Sequence, residues 1–266
     1  MPENDAENAE DLELLCCAAE EAAKTTLNYF GKNPKVWLKP GNSPVSEADF
    51  AADKVLKECL LSARPDYGWI SEETKDDRPE QKYQRYFVVD PIDGTRGFLS
   101  GSRYWCISVA IIENGVPQVG VLDCPANNAV YKAQRGKGAS LNDEKLPLLN
   151  GHDDELIVSA TGKFEARLPD EFKSRVKFSH YLPSLAYRIA LAAQGKIDIV
   201  LVKPDCHDWD IAAADLILNE CGGTISDFSD KKPIYGKPPF KHDFLIAGIN
   251  SKLENVIEII GKAKLR

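Results

Sequence analysis

Apolar positions in the first part of the chain repeat with a helical period. Between residues 7 and 30 they recur every three or four positions, which predicts a helix with one buried face. The residues on that face are Leu12, Leu15, Ala19, Ala22, Ala23, Leu27 and Phe30. Gly31 and the pair Asn33-Pro34 are typical of a helix end. After the polar segment KPGNSP, we predict a second helix over about residues 47–62.

Apolar runs bounded by turn residues predict the strands. In the first half they cover residues 86–90, 104–112, 116–122 and 129–134. In the second half, strands at 156–160, 175–179, 197–202 and 244–249 alternate with helices at 182–194, 209–221 and 251–264. The pattern therefore changes from a mostly antiparallel α+β half to an α/β half. We predict two halves packed on one another without a linker, at residues 1–145 and 146–266.

Charge and composition limit the class of partner. The chain has 266 residues and a formal charge of −8, which argues against a nucleic-acid backbone or an anionic membrane surface as the main partner. No apolar run approaches the roughly 20 residues of a membrane span. The first residues lack the basic and apolar regions of a secretion signal, and the seven cysteines form no CxxC pair. We expect a cytoplasmic protein that acts on a small molecule.

The segment VVDPIDGT, residues 88–95, carries two acids at the end of an apolar strand. Because Asp, Pro and Gly are common turn residues, a plain turn is one interpretation. The other is a cation site, in which Asp90, Asp93 and the Ile92 carbonyl supply the hard oxygen ligands that Mg²⁺ prefers. Backbone N–H groups of Gly94 and Thr95 would then form an anion site beside the cation. Adjacent cation and anion sites suit a phosphate group.

Three further acids have a structural explanation when each is taken alone. Glu72 in SEET follows an apolar pair and could be a solvated loop acid. Asp210 falls in the first turn of a predicted helix, where an acid interacts favourably with the helix dipole. Asp49 lies three residues after Ser46, which is the spacing of a capping box. Their joint occurrence with the two acids above is not expected from capping alone.

In this order, the motifs SPVSEAD, SEET, DPIDGT and WD followed by AA and GG resemble the inositol monophosphatase family of magnesium-dependent phosphatases. The matching motifs lie within residues 39–223. Haloacid-dehalogenase phosphatases differ, since one residue rather than two separates their paired aspartates. The resemblance implies a layered α-β-α-β-α sandwich. It also implies hydrolysis of a small phosphorylated metabolite, sensitivity to lithium and a homodimer.

The resemblance also implies the roles of individual residues. Two or three magnesium ions would be bound by Glu72, Asp90, the Ile92 carbonyl, Asp93 and Asp210. Gly94 and Thr95 would hold the phosphate through backbone N–H groups. Thr95, oriented by Asp49, would help Glu72 and one metal ion to activate the attacking water.

The residues around the rest of the substrate depart from the family pattern. Lys203 stands where inositol-specific members carry a glutamate, and a lysine cannot accept hydrogen bonds from sugar hydroxyls. With Arg188 as a second cation, it favours a substrate with a further phosphate, such as 3'-phosphoadenosine 5'-phosphate. Inositol monophosphate is the second candidate and a sugar bisphosphate the third. Lys203 could also be a plain surface lysine. Outside catalysis, the alternatives are a metal or nucleotide sensor and a scaffold whose acids only cap helices.

Overall fold

The computed structural model describes residues 2–78, 83–149, 155–249, 252–253 and 256–257. Its helices are α1 (Pro2–Leu27), α2 (Glu47–Ala63), α3 (Thr95–Leu99), α4 (Gly162–Glu165), α5 (Asp170–Lys173), α6 (Leu185–Ala193) and α7 (Asp208–Glu220). Strands β1–β9 are Val36–Leu38, Pro44–Ser46, Gly68–Ser71, Arg85–Asp93, Cys106–Glu113, Val116–Cys124, Ala129–Gln134, Gly138–Leu141 and Glu144–Lys145. Strands β10–β16 are Leu156–Ser159, Val176–Phe178, Ile199–Val202, Cys206–His207, Gly223–Ser226, Lys241–His242 and Leu245–Ile249.

Two large sheets form the β-layers. The first has seven strands in the order β3-β4-β5-β6-β7-β8-β9, and all its pairs are antiparallel except β3 with β4. The second has the order β11-β10-β12-β16-β14, in which β16 runs antiparallel to its neighbours. The predicted boundary near residue 145 falls between the last strand of the first sheet and the first strand of the second. A division into two domains stays a prediction.

Helices and sheets alternate in five layers, and the α-β-α-β-α sandwich is confirmed. Apolar residues of α1 and α2, such as Leu15 and Leu56, pack on the outer face of the first sheet. Helices α6 and α7 lie between the two sheets, and a single apolar cluster joins them to both. Phe172 of α5 and Leu253 cover the outer face of the second sheet. Because α7 is buried on both sides, its run Ile-Ala-Ala-Ala is apolar all round.

Several element boundaries differ from the predicted ones. Helix α1 ends at Leu27, because the Phe30 ring packs on Phe98 and Trp105 at centroid distances of 5.4 and 5.5 Å. The predicted strand at 104–112 begins only at Cys106, since Trp105 belongs to the same aromatic cluster. Strand β14 was not predicted, because it is short and begins with a glycine, and its pairing with β16 stabilises it.

The predicted C-terminal helix falls mostly outside the described residues. Within 251–264, residues 252–253 and 256–257 are helical.

No helix in the described part of the chain is long and apolar enough to cross a membrane.

The contact between β6 and α7 provides a test of the layered packing. A Cβ atom added at Gly120 would lie 3.0 Å from the Cα atom and 3.1 Å from the carbonyl oxygen of Ala213. We expect Gly120→Val to lower the free energy of unfolding by about 1–3 kcal/mol in urea denaturation, because the buried helix backbone has to move. Gly162→Val is the control, since an added Cβ there meets nothing within 4 Å. Equal losses in the two variants would contradict the close packing.

Candidate active site

Asp90 and Asp93 lie on one strand, and the turn interpretation is wrong. β4 continues to Asp93 with an irregular register, in which Asp90 pairs with Ser108 and Asp93 with Cys106. Side chains alternate between the two faces of a regular strand, so residues three apart would face opposite sides. The extra residue of the bulge turns both carboxylates to the same side.

Asp210, in the first turn of α7, completes a cluster of three acids. One carboxylate oxygen from each of Asp90, Asp93 and Asp210 lies within 4.8 Å of the others. Asp90 is only 2% exposed and Asp93 6%. Carboxylates at this spacing repel one another unless protons or a cation compensate their charge. Since hard oxygen donors suit Mg²⁺, the three acids could hold a metal ion.

Glu72 is directed to the same place by the parallel pairing of β3 with β4. It follows β3 directly, and its N–H donates to the carbonyl of Val89, one residue before Asp90. Burial and then the charge of Glu72 raise the pKa of Asp90 far above its usual range. The interpretation of Glu72 as a solvated loop acid is therefore not supported.

Lys39 is a residue of this site that the sequence analysis missed. Its Nζ lies 3.0 Å from Oε1 of Glu72 and 2.6 Å from Oε1 of Glu73. The lysine is 33 and 34 residues away from these acids in the chain, so no local motif joins them. Lys39 places one fixed positive charge at the edge of the acidic cluster.

Asp49 combines the two roles that the sequence left as alternatives. Its Oδ2 accepts hydrogen bonds from the N–H and the hydroxyl of Ser46 at 2.8 and 2.6 Å, which forms the capping box of α2. Its Oδ1 accepts from the Thr95 hydroxyl at 3.1 Å. The Thr95 hydroxyl is also 3.1 Å from the Ile92 carbonyl. One carboxylate thus caps a helix and orients a threonine beside the acids.

Gly94 occupies a position that no other residue could take without strain. Its φ of +95° lies in the left-handed region, and an added Cβ would come within 3.1 Å of the Cβ and N atoms of Ser184. The backbone of the DPIDGT motif therefore lies directly against the first residues of the α6 segment.

Ser184 holds Asp93 in place and was also missed. Its hydroxyl donates to Asp93 Oδ2 at 2.5 Å and accepts from the N–H of Tyr187 at 2.9 Å, and the N–H of Ala186 donates to the same Oδ2 at 2.6 Å. The Pro183-Ser184 pair before an apolar run is a helix-start signal. Because the predicted helix began at residue 182, Ser184 was placed inside the helix and not at its N-cap.

The two predicted substrate-side cations differ in their surroundings. Lys203 follows β12, is exposed and forms no ion pair with a described residue. Arg188 is only 7% exposed, and its Nε donates to the Ser184 carbonyl at 3.3 Å. Burial lowers the pKa of Arg188, while the negative charge of Asp93 raises it. Arg188 therefore lies near the acids, and the role of either cation stays a prediction.

Comparison with known proteins assigns the chain to a family. The model of the inositol monophosphatase family matches residues 7–263. The chain belongs to the inositol monophosphatase family. An inositol-1-monophosphatase of Rhizobium meliloti is 32% identical over 81% of this chain and 85% of its own length. The crystal structure of the extragenic suppressor protein suhB from Bartonella henselae matches with a TM-score of 0.83 and 26% identity, over 95% of this chain and 99% of that one.

Other relatives in the family have different names at similar identity. A histidinol-phosphatase of Chlorobaculum parvum is 28% identical over 96% of this chain and 98% of its own length. A 3'(2'),5'-bisphosphate nucleotidase CysQ of Shigella flexneri is also 28% identical, over 83% of this chain and 92% of its own. The protein is a phosphatase of the inositol monophosphatase family, and overall similarity does not select its substrate.

In this family member, Asp93 and Glu73 hold their protons to a higher pH than carboxyl groups usually do. Burial is the largest cause and raises the pKa of Asp93 to about 7 and that of Glu73 to about 7. Asp210 adds to the shift of Asp93, and Glu72 to that of Glu73, through like charge. Binding of a cation therefore has to displace protons, so metal affinity rises with pH in the neutral range.

These shifts predict how the stability of the chelated protein depends on pH. A carboxyl group whose pKa is raised by folding stabilises the native state fully below its unfolded pKa, and this contribution is lost as the pH rises through its folded pKa. We expect the Tm measured by circular dichroism in excess chelator to fall between pH 5 and pH 8. Asp93→Asn cannot titrate at this position, so its Tm should fall less. A slope equal to that of the wild type would contradict the raised pKa of Asp93.

Proposed function

We propose that the protein is a magnesium-dependent phosphomonoesterase that uses water as its nucleophile. The convergence of Asp90, Asp93 and Asp210 within 4.8 Å supports this proposal most strongly. Glu72 and the Ile92 carbonyl complete the proposed ligand set for two to three ions. When bound, Mg²⁺ offsets the charge of the carboxylates and acidifies water.

The protein's own residues bind the phosphate and move the proton. Backbone N–H groups of Gly94 and Thr95 hold the phosphate in the proposed arrangement. The Thr95 hydroxyl, oriented by the hydrogen bond to Asp49, positions the water, and Glu72 takes part in its deprotonation. The Asp49 carboxylate can hold this orientation because the Ser46 groups restrain its other oxygen.

Ser184 bonds to Asp93 and Cys106 pairs with it across the sheet, but the state of both side chains supports water as the nucleophile. The Ser184 hydroxyl already donates its proton to Asp93. Burial and the neighbouring Cys124 raise the pKa of the Cys106 thiol well above its usual range, so Cys106 stays protonated and unreactive. Ser184 is fully buried as the N-cap of α6, and Cys106 is fully buried in β5, so neither side chain is exposed to a substrate.

The proposed roles predict different effects for two substitutions. Asp93→Asn removes a charged oxygen from the proposed ligand set, so we expect weaker Mg²⁺ binding in calorimetry and loss of nearly all phosphate release. Thr95→Ala should retain Mg²⁺ and substrate binding while kcat falls by about 10²- to 10⁴-fold, as expected for a group acting on the water.

The controls are excess chelator, which should abolish turnover, and lithium, which should inhibit it. Wild-type activity in Asp93→Asn, or full turnover in chelator, would contradict the proposal. Retained binding of Mg²⁺ and nucleotide without phosphate release from any substrate would favour the sensor.

For the substrate, we favour a 3'(2'),5'-bisphosphate nucleotide such as 3'-phosphoadenosine 5'-phosphate. Lys203 is exposed seven residues before Asp210 and offers a charge-assisted contact to a second phosphate. Arg188, whose charge interacts with that of Asp93, provides a second cation near the proposed site. A relative named as a nucleotidase agrees with this choice. The positive charges of Lys203 and Arg188 disfavour histidinol phosphate, because its amine is itself positively charged. Inositol monophosphate remains the second candidate.

The substrate proposal is tested by the charge at residue 203. We expect Lys203→Glu to lower kcat/KM for 3'-phosphoadenosine 5'-phosphate by at least tenfold relative to inositol 1-phosphate. Lys32→Glu, at another exposed lysine without a described ion pair, is the control for net charge. Phosphate release is measured with these two compounds and, in addition, with fructose 1,6-bisphosphate and histidinol phosphate. A wild-type preference for inositol phosphate, or an unchanged ratio in Lys203→Glu, would overturn the assignment. The homodimer and the cytoplasmic location also stay predictions.

A further inference from the structure

A second cavity lies along α6, between the edges of the two large sheets. Its volume is about 630 Å³, which is in the range of small-molecule sites. Tyr187 and Leu191 of α6 and Gln194, the residue that caps this helix, line it, together with residues of the β6–β7 turn and of β11. None of the four proposed metal-binding acids is among the described residues that line it. The cavity therefore differs from the catalytic cluster.

The charge of this cavity is opposite to that of the whole protein. Lys177, Lys196 and His180 contribute to its lining, and none of its described lining residues is an aspartate or a glutamate. Neither lysine forms an ion pair with a described residue, although the chain has an excess of eight negative charges. Two ammonium groups without an acidic partner among the described residues attract an anion to the cavity, because a charge-assisted hydrogen bond is stronger than a neutral one.

The uncharged part of the lining suits a flat ring. Tyr104 lies 5.4 Å from His180 and 5.7 Å from Tyr187 between ring centroids, and Tyr187 lies 6.2 Å from Tyr131. Aromatic side chains arranged in this way offer stacking and edge contacts to a further ring. Some side-chain amides of the lining are already bonded within the protein: both ends of Asn142, the NH2 group of Asn127 and Oε1 of Gln194. The Asn128 side chain and the NH2 group of Gln194 make no hydrogen bond to a described residue and offer donors and an acceptor to a ligand.

We propose that this cavity is a second ligand site, which binds a small anion carrying a flat heteroaromatic ring. The lysines contact the anionic group, the tyrosines contact the ring and the amides contact its polar edge. A nucleoside monophosphate combines these three features and has a size that fits the cavity. Binding here does not require a metal ion, since the site supplies its own positive charge.

The experiment uses adenosine 5'-monophosphate as the probe and the full-length protein in excess chelator. Under these conditions the catalytic acids hold no metal ion that could attract a phosphate group, so binding reports on the second site. This separation matters because the same nucleotide is the expected product of the hydrolysis proposed above. We expect calorimetry to show one bound nucleotide per chain. Adenosine, which lacks the charge, and inorganic phosphate, which lacks the ring, should each bind at least tenfold more weakly.

Variants decide where the probe binds. Lys177→Gln and Lys196→Gln should each weaken binding about tenfold, whereas the control Lys32→Gln should not change it. Ala129→Trp fills the cavity without removing a charge and should abolish binding, and circular dichroism checks that each variant is folded. No binding by the wild type, or unchanged affinity in the two lysine variants, would overturn the proposal. Loss of binding in Lys203→Glu alone would assign the nucleotide to the catalytic cluster instead. Phosphate release by Lys177→Gln and Lys196→Gln is measured as well, so that a failure of the proposed phosphatase function is distinguished from a failure of the second site.

Discussion

Mutual repulsion of buried carboxylates is the constraint on which the rest of the structure depends. Asp90 and Asp93 could not both lie this close to Asp210 as bare anions, because burial and like charge raise the pKa of each. Protons, Lys39 beside Glu72, or metal ions have to compensate the charge. This need for charge compensation suits a phosphatase, because cations held by such acids attract a phosphate group that the acids alone would repel.

Rigid packing keeps these acids together. Asp93 is held by two hydrogen bonds from the start of α6, and Asp210 lies in the first turn of α7. Both helices are buried between the two sheets, so neither can move away without opening an apolar cluster. The close approach of Gly120 to α7 and of Gly94 to Ser184 indicates how little space is left at these contacts. The fold thus contributes the energy that brings like charges together.

Selectivity is a separate matter from the chemistry at the acids. Relatives with similar identity are named for different substrates, so membership of the family does not select the substrate of this chain. The residues proposed to select the substrate of this chain are the exposed Lys203 and the buried Arg188. The cavity along α6 is a further region with its own charge, and it contacts the same helix that restrains Asp93.

The sequence by itself determined the family, because the motifs are local, and the resemblance implied the five layers and the proposed acids of the site. The apolar periods follow single elements, so they predicted most of the helices and strands. It predicted Asp49 as a capping residue and as a partner of Thr95, and the structure contains both contacts. Only the tertiary structure decided that β4 bulges rather than turns at Asp90, and that Lys39 and Ser184 join the site. These contacts connect residues far apart in the chain, and a local pattern carries no information about which distant elements will pack together.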